Sequence, residues 1–388
     1  SHVTGNSAFA LFRVEREGMQ LLQIAGANGT TAGAYSVKLF IAGDANRDTT
    51  VDGTDSALIE AALGSVTGGA NYSANADANQ DGLINATDLH LYRQDLGFIP
   101  NQAPVVLPIT AAKTHIDLEI IKSVDQYITD QEGDPVFYRI TGATNGTARI
   151  ASDGSSVSFT PTTGYSGPAS FSIVADDGYS TSQVATVTVN VSDAPLVKLD
   201  FAVRQPRLDA RHAMKLQLVG DFTDETNVAL PASYLQFLST NPTGASISAG
   251  GVLTGIANGS TGVITASTAH GPGGVTIQAA TAFSVGIPTD QTQQFLYALG
   301  MDVFPGAVSL ATSGGERQII ADLADTIQLT NASTGTRYFV SNSNVVTVSA
   351  DGLITAGQAG EAIVTVINGP AESLIPVKVQ APNIGPTL

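Results

Sequence analysis

Oxygen-bearing side chains recur at fixed spacing in two stretches of the chain, and the second stretch begins 33 residues after the first. In both, an aspartate or asparagine stands at positions 1, 3, 5, 9 and 12 of a twelve-residue segment. The first segment contributes Asp44, Asn46, Asp48, Asp52 and Asp55, and the second contributes Asp77, Asn79, Asp81, Asn85 and Asp88. Two copies in the same register make simple solvated turns a poor explanation of the pattern.

The chemistry that suits this spacing is the binding of a hard cation. Calcium takes six to eight oxygen ligands, and a twelve-residue loop with these positions wraps them around one ion. Position 7 of such a loop supplies a backbone carbonyl, which here belongs to Thr50 in the first loop and Leu83 in the second. The sequence therefore predicts two metal sites, with Ca²⁺ as the cofactor.

Each loop is followed by a stretch with helical periodicity. The predicted helices cover 56–63 and 89–96. The apolar residue at position 8, Val51 or Ile84, is expected to pair the two loops through a short strand. A strand-like stretch, and not a helix, precedes the first loop. The ligands are thus predicted to lie in two loop-helix units without an entering helix.

This arrangement over residues 43–100 resembles the dockerin module, including the aspartate at position 12 of each loop. The resemblance implies a small α-helical module that binds calcium, with a cohesin-like receptor as a candidate partner. Position 6 holds Thr49 where the pattern has a glycine, whereas Gly82 satisfies it in the second loop, so we expect the first site to be weaker. The residues at positions 10 and 11 and the internal place of the module argue against a cellulosome-style cohesin partner.

Most of the remaining sequence alternates apolar with Ser/Thr residues between Gly, Pro and Asp turns, which predicts antiparallel sandwiches. The block at 101–195 resembles the cadherin-like tandem domains of large bacterial surface proteins. The block at 298–382 resembles the group-two bacterial Ig-like domain through residues 341–357, and 196–297 carries a degenerate copy. We therefore predict a mainly β, multidomain chain of tandem Ig-like β-sandwiches, each with its own core, and a linker at 383–388.

The cadherin-like resemblance also implies that acidic turns near the end of such a domain can hold calcium. Five acidic residues of this block match those turns: Asp130, Glu132, Asp134, Asp176 and Asp177. Because turns of this type need Asp and Gly for their backbone conformation, plain exposed turn acids stay an open alternative.

The first 42 residues hold three strand-like runs, at 9–14, 19–24 and 34–41, separated by turn residues. Three strands are few for an independent sandwich. We expect 1–42 to be the end of a preceding β-domain, or strands that pair with something else. Since the sequence starts without an initiator methionine or a signal peptide, we expect it to be a portion of a longer protein.

Composition argues against several classes of function. With 34 acidic against 17 basic residues, the net charge of −17 argues against nucleic acid as a partner. The chain has no cysteine, which excludes disulfides and thiolate metal sites, and it has no apolar run long enough for a membrane span. It carries no catalytic signature among the common motifs, so we predict no catalytic residues. One positive cluster is better explained as a solvated strand and turn than as an anion site: Arg204, Arg207, Arg211 and Lys215.

These expectations combine into a non-enzymatic, extracellular or cell-surface bacterial protein in which calcium orders a small module ahead of a rod of Ig-like domains. Its partners are expected to be proteins, as neighbouring copies or domains of a longer chain, or as a cohesin-like receptor. One alternative is the accessory stalk of a secreted polysaccharide-active enzyme, although the absence of tryptophan argues against direct glycan binding. A second alternative is a subunit of a self-assembling extracellular filament.

Overall fold

The computed structural model describes residues 2–4, 7–14, 21–22, 24, 33–312, 314–324 and 327–381. The chain divides into two compact units. Unit 1 comprises Ser1–Val105, Thr129–Phe137 and Ala175–Ser182, and unit 2 comprises Val106–Ile128, Tyr138–Val174 and Gln183–Leu388. Both oxygen-rich loops lie in unit 1, and most of the strands lie in unit 2.

Two helices, α1 (Gly53–Ala61) and α2 (Ala86–Asp95), follow the two loops of unit 1. Both begin three residues before the predicted starts at 56 and 89, because the residue at loop position 9 already caps the helix. The helices and loops share a small apolar core, formed by Ala45, Val51, Ile59, Ala62, Ala76, Ile84 and Tyr92.

The start of the chain departs from the expected three strands. An antiparallel hairpin joins β1 (His2–Thr4) to β2 (Ser7–Phe9), so the run at 9–14 is a strand at its first residue alone. The run at 34–41 forms no strand, because within the described residues no neighbouring segment supplies a ladder of hydrogen bonds for it. The run at 19–24 falls partly outside the described residues. That 1–42 ends a preceding β-domain stays a prediction.

The block at 101–195 folds as an antiparallel-rich sandwich. Its strands are β3 (Val105–Val106), β4 (Ala112–His115), β5 (Ile120–Ser123), β6 (Ile128–Thr129), β7 (Phe137–Thr144), β8 (Gly146–Ile150), β9 (Ser156–Pro161), β10 (Gly167–Asp176) and β11 (Ala185–Ser192). One sheet has the order β4-β11-β10-β7, the other has the order β5-β9-β8, and β3 pairs with β6. Along β11, buried Val187, Val189 and Val191 alternate with exposed residues, which is the predicted pattern.

Two further sandwiches complete unit 2. The second consists of β12 (Leu196–Phe201), β13 (Arg207–Leu208), β14 (Ala213–Lys215), β15 (Leu218–Phe222), β16 (Val228–Leu230), β17 (Gln236–Ser239), β18 (Ala245–Ile247), β19 (Val252–Gly255), β20 (Ser260–Thr268) and β21 (Ile277–Val285). The third consists of β22 (Asp302–Phe304), β23 (Val308–Ala311), β24 (Glu316–Gln318), β25 (Ile320–Leu323), β26 (Ile327–Gln328), β27 (Arg337–Val340), β28 (Val346–Val348), β29 (Leu353–Ala356), β30 (Gly360–Asn368) and β31 (Ala371–Gln380).

These two sandwiches have the same topology. The second has sheets β12-β15-β16, β13-β21-β20-β17 and β14-β19-β18. The third has β22-β25-β26, β23-β31-β30-β27 and β24-β29-β28, so each strand is replaced by the one ten places later. The parallel pair at the edge of the main sheet recurs as well, as β13 with β21 and β23 with β31. The repeat suggested by sequence at 196–297 is therefore a repeat of strand order.

A helix that the sequence patterns did not predict joins the second and third sandwiches. It is α3 (Gln291–Leu299), which crosses the expected boundary at 297. Asp290 caps it by accepting a hydrogen bond from the N–H of Gln293 at 3.0 Å, and Gly300, with φ of 82°, ends it. The predicted module limits stay predictions.

The first and second sandwiches of unit 2 share side chains at their junction. Leu118, which precedes β5, packs in the core of the second sandwich. The ring of His115 is buried, stacks on Phe222 at 3.6 Å between centroids, and places Nε2 at 2.9 Å from Oδ1 of Asp224. Burial raises the pKa of Asp224, but hydrogen bonds from Ser192, His115 and Lys113 outweigh it and hold that pKa well below its usual range.

The second and third sandwiches are joined by a buried network around Glu372. This carboxylate accepts hydrogen bonds from Nε of Arg204 at 2.6 Å, from the Thr281 hydroxyl at 2.8 Å and from the N–H of Ala282 at 2.7 Å. A small apolar cluster lies beside it, made of Val263, Ala280, Ala282 and Ile367. The expectation that each sandwich has a core of its own is therefore incomplete, because both junctions bury side chains of two neighbours.

In the described part of the chain, no helix is both long enough and apolar enough to cross a membrane.

Candidate metal centre

Positions 9 and 12 of each loop hold the start of the following helix. Oδ1 of Asp52 accepts a hydrogen bond from the N–H of Thr54 at 2.7 Å, and Oδ2 of Asp55 accepts one from the N–H of Asp52 at 2.9 Å. Asn85 and Asp88 repeat both bonds in the second loop. These reciprocal bonds form a capping box at each helix. The spacing that predicts calcium ligands therefore also fixes the helix starts.

Side chains at positions 1, 3 and 5 shape the first loop by binding its own backbone. Oδ2 of Asp44 accepts from the N–H of Thr49 at 3.1 Å, and Oδ1 of Asn46 accepts from the N–H of Asp48 at 2.8 Å. The hydroxyl and then the N–H of Thr50 donate to Asp48 and lower its pKa. These bonds close the loop between Asp44 and Thr50.

The second loop repeats the backbone bonds at positions 1 and 3, and Asp77 has two further donors, the first of which is the N–H of Asp81 at 3.1 Å from its Oδ1. Oδ2 of Asp77 accepts from the N–H of Gly82 at 2.8 Å, and Oδ1 of Asn79 accepts from the N–H of Asp81 at 3.0 Å. In addition, the hydroxyl of Tyr72 donates to Oδ2 of Asp77 at 2.7 Å. Burial and the neighbouring Asp77 raise the pKa of Tyr72, so its hydroxyl keeps the proton that it donates. The residue equivalent to Tyr72 in the first half is Leu39, which has no such donor.

The aspartates at position 12 are fully buried in both loops. Asp55 is fully buried, and its Oδ1 accepts from the N–H of Ala45 at 2.8 Å and of Asn46 at 3.0 Å. Asp88 is also fully buried, and its Oδ1 accepts from the N–H of Asn79 at 3.3 Å. Each of these side chains ties the end of its loop to the beginning.

Position 6 has a left-handed backbone in both loops. Gly82 has φ of 88°, which costs a glycine little. Thr49 has φ of 74°, a conformation that is strained for a β-branched residue. The first loop thus makes the same turn as the second with a residue that suits this backbone conformation less well. The expectation that the first loop binds calcium more weakly rests on this difference.

The residues present fit a hard cation. Asp44 is 6 % exposed, Asp55, Asp77 and Asp88 are fully buried, and none of the ion pairs among the described residues involves them. Oδ1 of Asp44 is buried without a hydrogen-bond donor. Buried carboxylates without a positive partner are costly, and the donor set of each loop consists of oxygens alone, as Ca²⁺ prefers.

No three His, Asp or Glu side chains converge as a metal-binding group among the described residues. Most carboxylate oxygens of the loops, other than Oδ1 of Asp44, accept hydrogen bonds from backbone N–H groups. Part of the expected donor set also consists of amides and backbone carbonyls, including those of Thr50 and Leu83. The twelve-residue ligand set of each loop therefore stays a prediction.

The residues at position 8 do not pair with each other as expected. Val51 exchanges backbone hydrogen bonds with the segment after α2, where its N–H donates to the carbonyl of Phe98 at 3.1 Å. Ile84 does the same with the segment after α1, where its N–H donates to the carbonyl of Ser65 at 3.0 Å. Both side chains reach the shared core, as predicted. Each loop is thus hydrogen-bonded to the segment that follows the helix of the other half: the first loop to 97–98, and the second loop to 64–65.

The acidic turns of the first sandwich contact the linker at 99–104. The side-chain amide of Asn101 donates to Oδ2 of Asp177 at 2.9 Å, and the N–H of Gln102 donates to Oε2 of Glu132 at 3.3 Å. Burial raises the pKa of Asp177, but hydrogen bonds from Ser180, Asn101 and Tyr179 outweigh it and lower that pKa to about 2. These acids are therefore occupied with backbone and linker groups.

The turn that carries Asp130 is closed by its own backbone. Oδ1 of Asp130 accepts from the N–H of Glu132 at 3.1 Å and of Asp134 at 2.9 Å. Asp176 accepts from the N–H of Gly178 at 2.9 Å. Whether Asp130, Glu132, Asp134, Asp176 and Asp177 also bind calcium stays a prediction of the cadherin-like resemblance.

Two of the four residues in the positive cluster predicted to be solvated, Arg204 and Arg207, have structural partners. Arg204 pairs with Asp200 and Glu372 at the junction of the second and third sandwiches. The guanidinium of Arg207 lies 4.0 Å from the ring centroid of Tyr297 in α3. Arg204 and Arg207 are therefore half-buried or stacked residues that hold neighbouring elements together.

Three family models match separate parts of the chain. Residues 42–97 match the dockerin type I domain, residues 101–190 match a bacterial Ig domain, and residues 321–377 match the bacterial Ig-like domain of group 2. The predicted dockerin-like and Ig-like identities are confirmed by these matches. Dockerin domains bind calcium and cohesins, and both kinds of module are non-catalytic and typical of modular extracellular proteins. No curated protein matches the sequence.

Cadherin and Ig-like domains are among the similar solved structures. Surface layer protein SbsC, domains 1–6, is 17 % identical, with 75 % of this chain and 42 % of that chain covered and a TM-score of 0.18. The chain thus spans less than half the length of that protein. Human protocadherin-24 EC1-2 is 13 % identical, with 48 % and 98 % covered and a TM-score of 0.22. Mouse cadherin-23 EC22-24 is 11 % identical, with 73 % and 100 % covered and a TM-score of 0.20.

Proposed function

We propose that both loops bind Ca²⁺ and that the chain is a calcium-stabilised, non-enzymatic structural or adhesive rod of an extracellular bacterial protein. Buried carboxylates at positions 1 and 12 of both loops, with no positive side chain paired to them, support this proposal. The ligands would be Asp44, Asn46, Asp48, Thr50, Asp52 and Asp55 in the first loop, and Asp77, Asn79, Asp81, Leu83, Asn85 and Asp88 in the second.

Calcium would supply the positive charge that the carboxylates of these loops lack. Neutralising the carboxylates removes their mutual repulsion and holds the start of each helix in place, so binding energy becomes folding energy. An ion present at 100 times its Kd adds about 2.7 kcal/mol of stability. The sandwiches of unit 2 have cores and junctions built from apolar side chains and paired charges, and they would keep their fold without the ion.

The test is calorimetric unfolding of the full chain with calcium and with a chelator. We expect the chelator to lower the melting temperature of the transition that includes 43–100, and the double variant Asp44→Ala/Asp77→Ala to reproduce that loss in calcium. A matched control, Asp302→Ala/Asp351→Ala, removes two acidic charges from the third sandwich and should leave the calcium effect intact. Identical melting curves with and without chelator would overturn the proposal.

A second candidate function is docking to a cohesin-type protein. The two halves of the module expose the same position, since Leu63 is 45 % and Leu96 is 55 % exposed although both are large apolar residues. Surface plasmon resonance against a panel of cohesin modules would test it. We expect calcium-dependent binding that Leu63→Ser/Leu96→Ser weakens, and an absence of binding to the whole panel in calcium would contradict it.

The stalk of a polysaccharide-active enzyme and the filament subunit stay alternatives. Electron microscopy of the full chain with and without calcium separates the filament from a rod. Filaments that form in calcium would favour self-assembly, and isolated particles in both conditions would contradict it.

A further inference from the structure

The two halves of the module are hydrogen-bonded crosswise, in a manner that follows the 33-residue repeat. The N–H of Gly64 donates to the carbonyl of Ile84 at 2.8 Å, and the N–H of Gly97 donates to the carbonyl of Val51 at 2.9 Å. Ser65 and Phe98 complete the two ladders by accepting from the N–H of Ile84 and Val51. The first loop therefore holds the segment after α2, and the second loop holds the segment after α1.

These two segments lead to different places. The segment after α1 stays inside the module, because the N–H of Thr67 donates back to the carbonyl of Gly82 in the second loop at 2.9 Å. The segment after α2 continues into the linker, where Asn101 binds Asp177 and the hydroxyl of Ser180, at 2.9 and 2.8 Å. The two halves of the module thus have equivalent hydrogen bonds, but only the segment after α2 leads out of the module into the linker.

Between Gly97 and Gln102 the linker is fixed at both ends. Its start is held by Val51, which lies in the first loop between Asp48 and Asp52. Its end is held by Glu132 and Asp177, whose turns belong to the same compact unit. If the first loop opened through repulsion of its carboxylates, the bonds of Val51 to 97–98 would be lost and the linker would keep one anchor.

We propose that the first loop alone controls the order of the linker at 97–102 and its attachment to the turns at 130–134 and 176–180, whereas the second loop stabilises the interior of the module. This inference rests on the proposed calcium binding. Calcium in the first loop is then a switch for the linker, and calcium in the second loop is a structural ion. The first loop is also the one with the buried unpartnered oxygen of Asp44 and the strained Thr49, so it depends more on its ion.

Hydrogen exchange of the full chain in calcium tests the asymmetry with two equivalent variants, Asp44→Ala and Asp77→Ala. We expect Asp44→Ala to speed exchange of the amides in 97–102 and 176–182 by roughly tenfold, as the loss of two backbone hydrogen bonds predicts. Asp77→Ala should speed exchange in 64–67 by a similar factor and leave 97–102 within about twofold of the wild type. Equal effects of the two variants on 97–102 would overturn the inference.

Native mass spectrometry of the same samples counts bound calcium and separates the two proposals. If Asp44→Ala loses one ion while 97–102 stays protected, the linker inference is wrong and the calcium function stands. If the wild type binds no calcium, both proposals are wrong. If Asp44→Ala unfolds the whole module, hydrogen exchange of the wild type is measured at increasing calcium concentration instead. The inference predicts that protection of 97–102 rises with the weaker of the two calcium-binding events, which belongs to the first loop. Protection that rises with the tighter event would overturn it.

Discussion

The two loops of the dockerin-type module have the same ligand pattern and most of the same backbone hydrogen bonds, but they differ in what supports them. In the second loop, Gly82 makes the turn without strain and Tyr72 satisfies an oxygen of Asp77. In the first loop, Thr49 makes the same turn in a strained conformation, and Oδ1 of Asp44 has no donor. A repeated ligand spacing therefore fixes the shape of a site, while the residue at position 6 and the donors around position 1 determine how far that shape exists without its ion.

The largest expected effect comes from the buried aspartates at position 12. Asp55→Ala leaves three backbone N–H groups without an acceptor, so we expect it to destabilise unit 1 by about 3 kcal/mol without calcium. Asp88→Ala leaves two such groups and should cost about 2 kcal/mol. Urea-dependent hydrogen exchange of peptides from 44–98 measures both values. A larger loss for Asp88→Ala would reverse the comparison.

Exchanging the residues at position 6 tests the role of strain. Gly82→Thr places a β-branched residue at a positive φ, where its Cβ would lie 2.9 Å from Oγ1 of Thr67, and should destabilise the second loop by about 1–2 kcal/mol. Thr49→Gly relieves the first loop and should tighten its calcium binding by about threefold. Calorimetric titration of both variants gives the two affinities. If neither affinity moves, backbone strain is not what separates the loops.

Tyr72→Phe removes from the second loop a side-chain donor that the first loop lacks. It removes one hydrogen bond to a carboxylate, so we expect a loss of about 1 kcal/mol in chelator and a smaller loss in calcium, where the ion takes over the oxygen. The matched control is Tyr35→Phe, because Tyr35 is 76 % exposed. Equal losses in chelator and in calcium would show that Tyr72 does not substitute for the ion.

The smallest expected effect is a pH-dependent change at Asp177, the residue that binds Asn101 of the linker. The pKa of Asp177 is lowered to about 2, so its contribution is complete above its unfolded value near 3.8 and is lost as the pH falls towards 2. We expect NMR signals of Tyr179 and Ser180 to shift with a midpoint near pH 2 in the wild type and at a higher pH in Asn101→Ala. A midpoint that does not move in Asn101→Ala would remove Asn101 from the account of this turn.

Local patterns were enough to predict the loops, the two following helices and the sandwiches. Spacing alone locates Asp44 and Asp77, and alternation locates strands such as β11. The capping role of Asp52 and Asn85 could also have been read from the acid three residues later. The same holds for α3, since Asp290 is an ordinary helix start signal and Gly300 an ordinary stop signal.

Contacts between distant segments were beyond the reach of sequence patterns. Nothing near Leu118 indicates that it packs in the core of the next sandwich, and nothing near Val51 indicates a ladder with 97–98 instead of Ile84. Leu63 and Leu96 belong to the predicted helices at 56–63 and 89–96, but α1 and α2 end before them and both side chains are exposed. These features depend on contacts between segments that are distant in the sequence, and local periodicity carries no information about such contacts.

The most direct test of the central claim is calorimetric titration of the chelator-treated full chain with calcium. The account predicts two binding events in the wild type, and a single event in each of Asp44→Ala and Asp77→Ala, with the tighter one retained in Asp44→Ala. The account would be contradicted if the wild type bound no calcium. It would also be contradicted if both variants kept two binding events with the affinities of the wild type.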